Sequence, residues 1–103
     1  MQYIIFGYDG HDEGVQARRQ AARTAHLEST NRRFAVREHL YAAALLDDSG
    51  AMIGSMMVVD YPTREALDLW LAEEPYVTGK VWERVEVKPC KVAPTYMALY
   101  DRG

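Results

Sequence analysis

Two side chains in this sequence suit proton transfer near neutral pH. His26 lies in the stretch Arg23-Thr24-Ala25-His26-Leu27, beside the small residues Ala22 and Ala25. An imidazole facing a cleft from such a position can serve as general base or acid. The plainer reading is a half-exposed helix histidine satisfied by a backbone carbonyl. Glu74 stands ahead of Pro75, where a carboxylate can orient the imidazole and stabilise its charged form, as the third member of a triad does. Its plainer reading is an exposed helix-end acid next to Glu73. Tyr76 offers a hydroxyl or a ring to the same cleft, or simple packing. Arg23, one turn before His26, suits an anionic substrate. Ser55 follows Gly54 in an apolar run without a Gly-x-Ser-x-Gly elbow, so it reads as a ligand hydrogen-bonding or packing residue and not as a nucleophile.

Other groups point less far. Asp9, His11, Asp12 and Glu13 suit divalent cations by type. They equally suit a polar loop leading into a helix, with acids at its positive end, and no metal is expected. His39 reads as structural. Cys90 has no partner motif and reads as an inert thiol. Arg18, Arg19, Arg23, Arg32, Arg33 and Arg37 supply half of the 12 basic residues. The aromatic signature of an RNA-binding strand is absent, so these arginines, Arg23 excepted, read as a solvated helix face.

The elements that must carry these groups follow from local pattern. Tyr3 to Tyr8 is a short β-prone run closed by the turn signal Asp9-Gly10. Glu13 to about Arg33 is rich in helix formers, with Val15, Ala22, Ala25 and Ser29 as its inner stripe and Arg18 and Arg19 on the surface. Residues 39–59 read as a hairpin about Asp47-Asp48-Ser49-Gly50. Thr63 is an N-cap for a helix whose apolar face is Ala66, Leu67, Trp70 and Leu71. Pro75 stops that helix. Val81 to Lys88 alternates as a strand with one packed face. Tyr96 to Tyr100 reads as a short added strand or an arm onto a partner.

The order is β-α-β-β-α-β, an α+β ferredoxin-like plan with a four-stranded antiparallel sheet. Both helices on one face leave the other face open, with several of Phe6, Tyr8, Tyr41, Met56 and Trp82 on it. An exposed apolar patch of that kind marks an interaction surface, and face-to-face pairing about a two-fold axis covers it. A homodimer is therefore expected. It would also help a chain of 103 residues, which buries only about 60–65% of the surface its unfolded form exposes.

Composition sets the remaining bounds. With 49% hydrophobic and 26% charged residues the chain is ordinary globular, and its net charge of −3 argues against a nucleic-acid partner. No run reaches the ~20 apolar residues of a membrane span, and no signal-peptide pattern opens the chain. A single cysteine forbids an intrachain disulfide, so the expectation is cytoplasmic. Residues 1–103 read as one domain, with a core at 3–92 and a C-terminal tail at 93–103.

Four local patterns together resemble the YCII-related (YciI-like) family. They are Tyr3-Ile4-Ile5-Phe6; Arg23-Thr24-Ala25-His26-Leu27; Gly54-Ser55 after Asp47-Asp48-Ser49-Gly50; and Glu74-Pro75-Tyr76-Val77 followed by Val85-Glu86-Val87-Lys88-Pro89. The chain departs from the family pattern twice. Glu74 stands for an aspartate, which keeps the charge and lengthens the reach. Ala42-Ala43-Ala44 stands for Ala-Gly-Pro, which removes a backbone bend. The resemblance implies a dimeric α+β barrel with His26 at the active site. It also implies relatives that eliminate chloride from a chlorinated hydroxyquinol or isomerise lactones.

The residues and the resemblance lead to one expectation. A cofactor-independent enzyme would use His26 as acid or base, Glu74 to orient it, and Arg23, Ser55 and Tyr76 to place a small anionic or oxygenated molecule. Elimination or isomerisation suits such a site. The alternative is a non-enzymatic dimer that binds a small ligand or serves as an accessory subunit.

Overall fold

Strand β1 spans Gln2–Asp9, and its burial alternates along the run, with Tyr3, Ile5 and Asp9 directed inward. The computed structural model describes residues 1–101. Helix α1 covers Val15–Ala35, β2 His39–Leu46, β3 Met52–Asp60, α2 Arg64–Glu73, α3 Pro75–Thr78, β4 Trp82–Cys90 and α4 Pro94–Met97. The sheet has the order β2-β3-β1-β4, and every neighbouring pair is antiparallel. This is the ferredoxin-like α+β plan, with two one-turn helices added.

Local chemistry accounts for most of these boundaries. Asp47 Oδ1 accepts from the Ser49 and Ala51 amides at 2.8 and 3.1 Å, and Gly50 takes φ = +90°, so the β2–β3 hairpin closes where the turn residues stand. Thr63 caps α2, its Oγ1 accepting from the Ala66 amide at 3.1 Å. Pro75 ends α2 and opens α3 at once, since proline fits the first turn of a helix but not its interior. Pro89 is tolerated within β4 because β4 is an edge strand.

The core lies on the helix side of the sheet. Tyr3, Ile5, Met57 and Val59 meet Leu67 and Trp70 of α2, joined by Tyr61, Tyr76, Val81 and Trp82. The opposite face carries Phe6, Tyr8, Tyr41 and Met56, as expected from the sequence. Trp82 does not belong with them. It pairs with Asp9 across a register shift after Tyr8, which turns its indole inward, and it is buried. Its ring lies over Gly7, where any Cβ would fall inside the indole's van der Waals surface.

Two further expectations are corrected. The inner stripe of α1 is Val15, Arg19, Ala22, His26 and Ser29, a run of three- and four-residue steps; Ala25 is exposed and Arg19 is buried. The tail is not a strand. Its Ala93-Pro94 step starts α4, and the Tyr100 hydroxyl then donates to the Leu40 carbonyl while Arg37 donates to the Tyr100 carbonyl.

Candidate active site

His26 reaches inward from α1 beside Ala22, and Glu74 turns inward at the junction of α2 and α3. The two meet: His26 Nδ1 is hydrogen-bonded to Glu74 Oε1. The Glu74 side chain is 0% exposed and the His26 side chain 12%. Glu74 is held there by its place in the chain. It caps α3, its Oε1 also accepting from the Tyr76 amide at 3.3 Å, so the backbone that brings Pro75 in also aims the carboxylate. Its Oε2 is buried with no partner among the described residues. A carboxylate at Nδ1 fixes the proton on that nitrogen and leaves the Nε2 lone pair for chemistry.

Aromatic rings fix the imidazole plane. Tyr76 stacks on His26 with centroids 3.9 Å apart and planes within 10°, and Trp82 stands edge-on at 6.2 Å. Trp82 also meets Tyr76 edge-on at 5.7 Å. The close approach at Gly7 thus sets the floor on which the pair rests.

A cavity of about 180 Å³ opens in front of His26, lined also by Arg23, Ser55, Tyr76, Met57 and Ala42 to Ala44. The structure therefore brings His26, Glu74, Tyr76, Arg23 and Ser55 to one place. Arg23 is exposed and stands at the rim, while Ser55 is buried. The alanines on β2 form a low wall, and all three are exposed.

Sequence reasoning missed Arg19 and Asp9. Arg19 Nε and Nη2 each donate to Asp9 at 2.9 Å, and the guanidinium carbon lies 4.8 Å from the Tyr76 ring centre. Burial works against the Arg19 charge, but the Asp9 carboxylate more than offsets it and holds the guanidinium protonated. The signal available was spacing: Arg19 and His26 are seven residues apart and share one helix face. The remaining acids of the loop after β1 serve other ends. Asp12 takes Arg18 in two hydrogen bonds of 2.7 and 2.9 Å, and that guanidinium holds the Asp12 carboxyl down at about 2. Among the described residues no group of three or more His, Cys, Asp or Glu is arranged to hold a metal. His39 lies apart from the cavity, its Nε2 3.2 Å from the Tyr61 hydroxyl and its ring edge-on to Trp70 at 4.7 Å. Burial, with the charges of Arg33 and His26, pushes its imidazole down to about 3.

The YCII-related domain model matches residues 1–91. The chain belongs to the YCII-related family. Protein YciI of Escherichia coli O6:H1 is 31% identical over 97 residues, covering 88% of this chain and 97% of its own length. Protein YciI of Shigella flexneri matches at the same level, 31% over 97 residues. Among solved structures, the 5-chloro-2-hydroxyhydroquinone dehydrochlorinase of Burkholderia phenoliruptrix, in complex with 2,5-dihydroxybenzoquinone, superposes with a TM-score of 0.77. It is 17% identical and the match covers 92% of this chain and 98% of that one. An antibiotic biosynthesis monooxygenase superposes at 0.53 with 17% identity over 91% of this chain and 100% of its own. At such identities these structures share the YCII-related chain's fold.

Proposed function

We propose that this YCII-related protein is a cofactor-independent enzyme of the cytoplasm that performs acid–base chemistry on a small oxygenated organic molecule, by elimination or isomerisation. One observation carries the reading: a fully buried carboxylate holds His26 by Nδ1 and leaves Nε2 as the base beside a cavity. In such a step the C–H bond of the ligand breaks and its proton passes to Nε2. The electron pair then expels a leaving group or forms the rearranged double bond. Glu74 steadies the imidazolium that results. The dehydrochlorinase in the same fold performs a reaction of the elimination class on an oxygen-rich ring, which supports the choice.

The working unit in this reading is a homodimer. The open sheet face bears Phe6, Tyr8, Tyr41 and Met56, and Tyr41 is 65% exposed. The cavity is also smaller than the roughly 300–1,000 Å³ usual for ligand sites, so a second copy would help to enclose it.

A panel of halogenated hydroxyquinols and small lactones tests the function, with release of halide or the change in ring absorbance as the readout. Turnover that falls about 10²–10⁴-fold in His26→Gln, with the melting temperature kept, is the expected result. Ligands that bind the wild type and His26→Gln alike without turning over would replace the enzyme by the binding module.

A further inference from the structure

Arg19 is the one buried arginine or lysine among the described residues. A guanidinium is costly to bury unless its charge and its donors are answered. Asp9 answers only part of it, taking Nε and Nη2 in the side-on bidentate geometry. Among the described residues Nη1 has the thioether of Met52 at 3.8 Å as its hydrogen-bonding contact, and a thioether is a weak acceptor. Arg19 and Met52 both line the cavity in front of His26. Ser55, also buried and lining that cavity, has no side-chain hydrogen bond among the described residues.

The site therefore holds two donors, Arg19 Nη1 and Ser55 Oγ, with no strong acceptor among the described residues. The Asp9 fork and the Tyr76 ring 4.8 Å away keep the guanidinium plane from turning toward water. Arg23 lacks such restraint: it is exposed, and no hydrogen bond of its side chain occurs among the described residues. Division of labour follows from that difference. A mobile charge at the rim attracts an anion over some distance, while a fixed fork inside selects its geometry.

We propose that Arg19 Nη1, with Ser55 Oγ, binds an ionised oxygen of the ligand, a phenolate, enolate or carboxylate, and that Asp9 is the positioning residue that aims it. The assignment rests on the reading that the ligand occupies the cavity beside His26. In the proton-abstraction step, the C–H proton goes to His26 Nε2 and the electron pair expels the leaving group or forms the rearranged double bond, while Arg19 keeps the ionised oxygen fixed and its charge answered.

4-Nitrophenolate is the probe, followed by absorbance, against 4-nitroanisole, which has the same ring with its oxygen capped. The wild type is expected to bind the phenolate at least about tenfold more tightly than the ether, as for a charge-assisted hydrogen bond. Arg19→Lys keeps the charge beside Asp9 but loses the fork. It should remove that preference and leave ether binding unchanged, while Arg23→Gln weakens phenolate binding by less. Asp9→Asn should weaken phenolate binding alone and have no further effect in the Arg19→Lys background, a coupling that a merely structural role would not produce. If the Arg19 variants fail to fold, the Arg19 guanidinium NMR signals of the unaltered protein give the answer by shifting with the phenolate and not with the ether. No phenolate binding at millimolar concentration, equal affinity for both probes, an unmoved Arg19 signal, or loss of preference in Arg23→Gln alone would overturn the assignment. His26→Gln separates the two proposals. Phenolate preference retained there supports Arg19 even where nothing is turned over. Turnover lost there, with the preference intact in Arg19→Lys, sinks Arg19 and spares the base.

Discussion

Glu74 carries a fully buried carboxylate, with one oxygen shared by His26 and the Tyr76 amide and the other without a partner among the described residues. That deficit makes the imidazole its main partner, and it sets the tautomer. Glu74→Gln keeps the shape but no longer demands an N–H at Nδ1. The ring nitrogen NMR signals should show the proton held on Nδ1 in the wild type and shared between the two nitrogens in the variant, with kcat reduced about 10²-fold or more and KM little changed. His39 supports a different prediction. Buried and neutral, it titrates at about 3 when folded against an ordinary 6.5. A depressed histidine contributes stability that is complete above about pH 6.5. It is lost by about 1.4 kcal/mol for each pH unit below that, until about pH 3. Urea midpoints measured from pH 7 to pH 4 should fall less steeply in His39→Gln than in the wild type. Of the chemical residues, His26 and Glu74 were legible because each sits at a helix position or junction that local sequence marks. Arg19 was not, because an arginine in a helical stretch reads as solvated unless its buried partner is known. Asp9 looked like turn chemistry for the same reason.

At the scale of elements, what local chemistry decides was readable: the Asp47–Gly50 turn, the Thr63 cap and the apolar face of α2. Thr63→Ala should lower stability by about 1 kcal/mol in a denaturant titration, since only the Ala66 amide loses its partner. What depends on register across the sheet was not readable. The shift after Tyr8 reverses the face of Trp82, and nothing in the strand's own alternation announces it. The tail forms no strand because Pro94 opens a helical turn there. Gly7 has its importance through Trp82 alone. Gly7→Ala forces the indole aside, and a loss of about 1–3 kcal/mol with altered tryptophan fluorescence and weaker ligand binding is expected.

For the whole molecule, the open sheet face and the small cavity argue together for two copies. Phe6 and Tyr8 stack at 6.3 Å and Arg84 lies 4.1 Å from the Tyr8 ring, so the apolar side chains of this face are bordered by the charged ones of β4. A charge placed at its centre should prevent pairing. Met56→Lys is expected to give a monomer in light scattering and to weaken ligand binding, and a variant that stays dimeric would put the contact elsewhere. No helix among the described residues is long and apolar enough to cross a membrane. The inner stripe of α1 has a last effect on how the molecule breathes. Arg19, His26 and Ser29 give that helix polar anchors in place of oily ones, so lifting it from the sheet exposes little apolar surface. Its amides should take up deuterium sooner than those of α2, and an anion bridging Arg19 and His26 should slow that uptake by tying the helix down.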